Sequence, residues 1–180
     1  MLMPLRMSVL EAQLVDLHEV LGRHGITFWL RDGTALGAVR DGRLIPYDDD
    51  ADLGIWAVSL PKLDAALEEL VGRKFVVYKR NSSVVGLLRG WETTELCISG
   101  VEEKPDEYET VRERFFRELT PLAFLGRDFL VPRETERYLE FSYGPNWRVP
   151  KIDAWSNSCW LPTREKLEQA RNFGPKSDEG

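Results

Sequence analysis

Residues 33–55 read "GTALGAVRDGRLIPYDDDADLGI", a Gly-Thr turn followed by small residues and then four aspartates crowded into five positions ahead of an apolar run. Just upstream, "ITFWLR" (residues 26–31) is an apolar and aromatic run of strand length. Gly33 and Thr34 fall where a strand would turn tightly into a short helix. Such a turn presents backbone N–H groups and a hydroxyl suited to an anion such as phosphate, although on its own it is more often a plain strand-to-helix connection. Downstream, "DDADLGI" reads as a strand whose side chains alternate faces, so Asp48, Asp50 and Asp52 project together and Asp49 points away.

Three carboxylates on one face repel, and protons bind to some of them unless a cation intervenes; a hard divalent ion with oxygen ligands removes the conflict. Two readings of the cluster therefore stand together, a solvated acidic turn and a metal site. An EF-hand loop is excluded, because its glycine position holds Leu53 and its closing glutamate position holds Ser59.

The chain has 180 residues, 43% hydrophobic and 30% charged, enough for one globular domain over residues 1–172 with a flexible tail at 173–180. A net charge of −6 argues against a broadly basic surface, so nucleic acid is not an expected partner. No apolar run reaches the roughly 18 residues of a membrane span, and "MLMPLRMSVL" lacks the core of a secretory signal. The expectation is a cytoplasmic protein without an integral membrane segment, at most peripheral to the inner membrane face. Cys97 and Cys159 lie far apart with no paired spacing and read as packing residues. His18 and His24, six residues apart on the first helical pattern, read as structural.

In "SVLEAQLVDLHEVLGRHG", Leu10, Leu14, Leu17 and Leu21 recur at helical spacing, with Ser8 and Glu11 as a capping box. Ser59 and Pro61 mark the start of a second helix over 60–72. "KFVVYKR", "SVVGLLRG" and "TELCIS" are strand candidates, and a charged region over 101–116 leads into a helix of uncertain register. A further helix follows Pro132 and ends near Gly144. The fold class is mixed α/β (α+β), a single domain with a mixed sheet flanked by helices.

The stretch over 33–55 resembles the LicD/fukutin-type phosphotransferase family of the nucleotidyltransferase fold, whose core runs approximately Gly-Thr-Leu-Leu-Gly-Ala-Val-Arg, a short spacer, and Ile-Pro-Trp-Asp-x-Asp-x-Asp. A second block, "FLVPRETERYLEFSYGPNWRVP" (residues 129–150), is similar to the family's downstream Val-Pro, helix, Tyr-Gly and Trp pattern. Tyr47 replaces the usual tryptophan, and Arg31-Asp32 stand where small or polar residues are common.

The resemblance implies a divalent-metal-dependent transferase. It would move a phosphorylated small alcohol, of the phosphocholine or alditol phosphate type, from a CDP-linked donor to a hydroxyl of a glycan or glycolipid acceptor. Mg²⁺ or Mn²⁺ is then expected on Asp48, Asp50 and Asp52. Glu95 takes the place of the family's third-strand aspartate, with Glu92 and Glu102 as substitutes. Gly33, Thr34, Arg40 and Arg43 are the expected donor contacts, while Tyr143, Gly144 and Trp147 are expected to pack. A nucleotidyltransferase that releases pyrophosphate, or a non-catalytic nucleotide- or metal-binding domain, remains open on the same residues.

Overall fold

In a computed structural model, residues 3–46, 48, 50–100 and 107–150 are described. The element order is α1 (Met3–Arg23), β1 (Phe28–Leu30), α2 (Asp32–Asp41), β2 (Asp50–Trp56), α3 (Leu60–Gly72), β3 (Val76–Arg80), β4 (Val84–Arg89), β5 (Glu92–Ser99), α4 (Glu107–Phe115), β6 (Leu119–Phe124), β7 (Arg127–Pro132) and α5 (Thr135–Tyr143). Five strands form one mixed sheet in the order β1-β2-β5-β4-β3, and β6 and β7 form a separate hairpin. The expected mixed sheet with flanking helices is therefore present. β2 and β5 pair in parallel at its centre, and the other pairs are antiparallel.

The chain divides into two compact units, one formed by residues 1–102 and 121–131, the other by 103–120 and 132–180. In the first, Leu10, Leu14, Leu17 and Leu21 of α1 are buried together with Leu63, Leu67 and Leu70 of α3. Fully burying one such side chain contributes about 1.5–3 kcal/mol, which is why helical periodicity dominates here over individual propensities. Along β5, burial alternates from Glu92 to Ile98: the even-numbered residues are buried and Thr93, Glu95 and Cys97 are half-buried on the opposite face. Gln13 ties α1 to the covered face, its amide donating to the carbonyls of Arg89 (3.0 Å) and Glu92 (3.2 Å) and accepting from Thr94 Oγ1 (3.0 Å). The second unit holds an aromatic cluster in which Tyr138 lies 5.9 Å from Phe115 and 5.4 Å from Phe116 between ring centroids. Trp147 is buried, in keeping with a packing role.

Several local expectations change. The first helix begins at Met3, so Ser8 lies inside it and the capping box with Glu11 does not mark its start. Ser59 does stand at the N-cap of α3, with Pro61 in the first turn, but its side chain makes no capping hydrogen bond. The β6–β7 hairpin was not anticipated; its turn places Leu125 and Gly126 at positive φ (50° and 71°). His18 packs edge-on against Phe28 and at a tilt against Phe129, and His24 Nε2 meets Glu69 Oε2 at 2.9 Å, so both have structural partners. Tyr47, Asp49, Glu102, Cys159 and the 173–180 tail lie outside the described residues.

Candidate functional site

The parallel pairing of β2 with β5 builds the site. Its register sets Asp50 opposite Thr93, Asp52 opposite Glu95 and Gly54 opposite Cys97. Parallel partners share a face, so the alternating aspartates of β2 and the odd-numbered residues of β5 form one acidic surface. One ligand atom from each of Asp52, Glu95 and Cys97 lies within 4.8 Å of the other two, the one such trio among the described residues. Asp48 and Asp50 stand beside it, near enough for their charges to act on Asp52.

Asp52 is held by its backbone on both sides. Its N–H donates to Thr34 Oγ1 (2.8 Å), and its carbonyl accepts the N–H of Arg31 (3.1 Å). Thr34 is buried, so this residue of the Gly-Thr turn anchors the strand bearing the carboxylate. Gly33 serves a second purpose: a Cβ there would collide with Asp48 Oδ2, so the missing side chain makes room for that carboxylate. Burial, with the negative charges of Asp32, Asp50 and Asp48, pushes the pKa of Asp52 up to about 8 against the opposing charge of Arg31.

Asp32 was not anticipated. It is buried, sits at a left-handed φ of 50°, and accepts from Arg31 Nε at 2.9 Å. A non-glycine residue in that region of backbone space stores strain of about 1–3 kcal/mol, a cost that tends to be met at functional sites. The departure Arg31-Asp32 was the available signal, since both residues flank the Gly-Thr turn.

A bulge in β3 adds two more residues. The β3–β4 register shifts between Val77 and Lys79, and the extra residue brings Tyr78 and Lys79 to the same carboxylate. Tyr78 Oη donates to Glu95 Oε1 (3.4 Å) and Lys79 Nζ reaches the same oxygen at 3.2 Å. Gly86, the β4 residue paired with Glu95, leaves room for the tyrosine ring, since a Cβ would come within 2.6 Å of Tyr78 Cζ. Burial and the Glu95 charge hold the Tyr78 pKa above its ordinary value.

The remaining expected residues lie apart from this cluster. Glu92 is buried on the helix-covered face beside Gln13, the side of the sheet opposite Glu95. Arg40 is at the far end of α2 from Gly33, its guanidinium paired with Asp41 at 2.7 Å. Arg43 is exposed after the left-handed Gly42 that ends α2.

The donor set fits a divalent cation. Its carboxylates crowd like charge around Asp52, and three ligand atoms from two neighbouring strands already converge.

The fold is shared with the antibiotic-resistance factor ANT(2'')-Ia, whose solution structure superposes with a TM-score of 0.53 at 18% identity, covering 93% of this chain and 83% of that one. The mixed sheet and this likeness give the chain a nucleotidyltransferase-like fold. Residues 25–87 match the nucleotidyltransferase domain of LicD, FKTN and FKRP. The ribitol-5-phosphate transferase FKTN of Macaca fascicularis is 30% identical over 154 residues, covering 76% of this chain and 32% of that protein. The human ribitol 5-phosphate transferase FKRP is 31% identical over 144 residues, 70% of this chain and 29% of that protein. The domain matched over residues 25–87 belongs to the LicD/fukutin-type family, and the chain spans about a third of the length of these curated relatives. Among the described residues, no helix is long and apolar enough to cross a membrane.

Proposed function

We propose that this chain transfers a phosphorylated alditol or similar small alcohol from a CDP-linked donor to a glycan hydroxyl, with a divalent ion, Mg²⁺ or Mn²⁺, at the acidic face. The observation that carries the reading is the register pairing of Asp52 with Glu95 beside Asp50 and Asp48, in a chain similar to two ribitol-phosphate transferases. The acceptor oxygen forms a bond to the phosphorus bearing the alcohol, the bridging P–O bond of the diphosphate breaks, and CMP leaves. The acceptor's proton passes to a carboxylate of the site.

A bound divalent ion supplies charge neutralisation to the diphosphate and orientation for in-line attack. Asp52 and Glu95 would hold it, and Asp48 and Asp50 would add negative charge to the same field. Thr34 keeps the Asp52 backbone in place. Gly33 leaves room for Asp48 and belongs to the donor-binding surface in this reading.

The test is incubation with CDP-ribitol, a glycan acceptor and Mn²⁺, following CMP, beside thermal unfolding of the protein with each component. Metal-dependent CMP release, lost by at least a hundredfold in Asp52→Asn, is expected. Release of pyrophosphate from nucleoside triphosphates instead would assign nucleotidyl transfer, and nucleotide binding without turnover would assign a binding domain.

A further inference from the structure

The second unit carries a cavity of about 550 Å³, a size typical of small-molecule sites. Arg114, Phe115, Arg117, Glu118, Arg133 and Glu134 line it. They come from the end of α4, the base of the β6–β7 hairpin and the residue before α5. Phe115 stands 5.9 Å from Tyr138 and 5.6 Å from Phe141 between ring centroids, so one wall rests on the aromatic cluster. At the base of the hairpin, the Arg133 N–H donates to the Glu118 carbonyl (2.8 Å) and fixes the spacing of those two residues.

The charges lining the cavity do not cancel. Arg133 Nη1 donates to Glu118 Oε2 (3.0 Å), and Arg137 Nη1 donates to both oxygens of Glu134 (2.8 and 3.0 Å), so each lining carboxylate already has a guanidinium. Arg114 and Arg117 make no ion pair among the described residues. They are three residues apart, which sets them on one side of the chain, and the Arg117 N–H donates to the Arg114 carbonyl (3.3 Å). The helix dipole accounts for Arg112 and Arg114 in the last turn of α4, but Arg117 lies past that turn. Two exposed guanidiniums thus face one cavity without a counter-charge, in a chain whose net charge is −6.

We propose that this cavity binds a phosphate monoester of a polyhydroxylated small molecule, a sugar phosphate in the simplest case. Arg114 and Arg117 clamp the phosphate, since a guanidinium fork matches two phosphate oxygens at once. The volume exceeds that of a bare oxyanion, which leaves room for the group that carries it. Glu118 and Glu134 keep lone pairs beyond those their arginines occupy and accept from the ligand's hydroxyl groups. Phe115 offers the one apolar wall, against which a carbon skeleton lies. The site belongs to the second unit, uses none of the carboxylates of β2 and β5, and does not depend on the transferase reading.

The test is calorimetric titration of the full chain, kept free of metal by a chelator, with glucose 6-phosphate, ribose 5-phosphate, glucose and inorganic phosphate at low ionic strength. The tighter of the two sugar phosphates should saturate at one molecule per chain and bind at least tenfold more tightly than glucose or inorganic phosphate. Its affinity should rise as pH passes about 6, where a phosphate monoester takes its second charge. Arg114→Gln and Arg117→Gln should each weaken it at least tenfold, and Arg114→Lys less, because the charge stays while the fork is lost. Arg127→Gln removes the same charge from the exposed start of β7 and should leave binding unchanged within twofold. Both cavity arginines are exposed, so their variants should keep the parent's near-ultraviolet circular dichroism. Inorganic phosphate binding as tightly as either sugar phosphate would overturn the assignment and leave a simple oxyanion site. No binding, or binding that survives both glutamine substitutions and is lost in Asp52→Asn, would overturn the cavity altogether. Metal-dependent CMP release is measured separately, so the failure of one reading leaves the other standing.

Discussion

Gly33 and Gly54 show how differently two missing side chains act. At Gly33, an added methyl group would meet the end of the Asp48 side chain, which can swing away. Gly33→Ala should therefore leave the midpoint of thermal unfolding within a few degrees of the parent while lowering CMP release at least tenfold. Unchanged turnover would remove Asp48 from the site. At Gly54 the obstacle is the ring of Trp29, which is fully buried and cannot move aside. Gly54→Ala should cost about 1–3 kcal/mol of stability, measured by urea unfolding. A cost below the precision of that measurement would mean that the ring has room to shift. The aspartates of β2 were legible because alternation along a strand is local. Asp32 and Cys97 were not: the significance of each depends on residues distant in sequence that only the folded sheet brings near.

Among the elements, β3 carries the least expected device. "KFVVYKR" was readable as a strand, but its extra residue is defined by pairing with β4, and no local pattern discloses a bulge. The bulge delivers an ammonium group to Glu95. If Glu95 binds a cation, Lys79 opposes it electrostatically, and Lys79→Met should raise Mn²⁺ affinity about two- to fivefold at low salt, an effect equivalent to less than about 1 kcal/mol between partly exposed groups. The gain should shrink in high salt as screening shortens. Calorimetric titration decides the sign: a fall in affinity would show instead that Lys79 holds Glu95 in its binding position. Helices α1, α3 and α5 were legible from apolar spacing and proline punctuation. The start of α1 was misplaced because its helix extends through the capping signature, and the β6–β7 hairpin was missed because Pro121 within it speaks against a strand.

For the whole molecule, α1 is joined to the rest of its unit by charge as well as by leucines. Asp16 receives Arg73 Nη1 at 2.8 Å and also pairs with Arg89, whose guanidinium lies 4.4 Å from the Phe75 ring centroid. Burial pushes the Asp16 pKa up, but the hydrogen bonds and charges of the two arginines outweigh it and hold the group below its ordinary value. A depressed folded pKa means that the unfolded chain binds the proton more readily. The stabilisation is therefore present above the unfolded value near 3.8 and is lost as pH falls through the lower folded one. Asp16→Asn should cost about 1 kcal/mol at neutral pH, with the difference from the parent closing below about pH 4. A difference that persists in acid would assign the loss to packing.

The central β2–β5 pairing also governs how the chain reaches its folded state. The two strands are separated by α3 and the β3–β4 ribbon, so the pair closes only after a long intervening segment has been gathered. Such non-local closure is slow, and here it brings mutually repelling carboxylates together in the same step. The surface that attracts a cation in the finished molecule is thus an obstacle during its assembly. Refolding at low ionic strength should accordingly quicken when monovalent salt or a divalent ion is added, because the repulsion is neutralised as the strands meet.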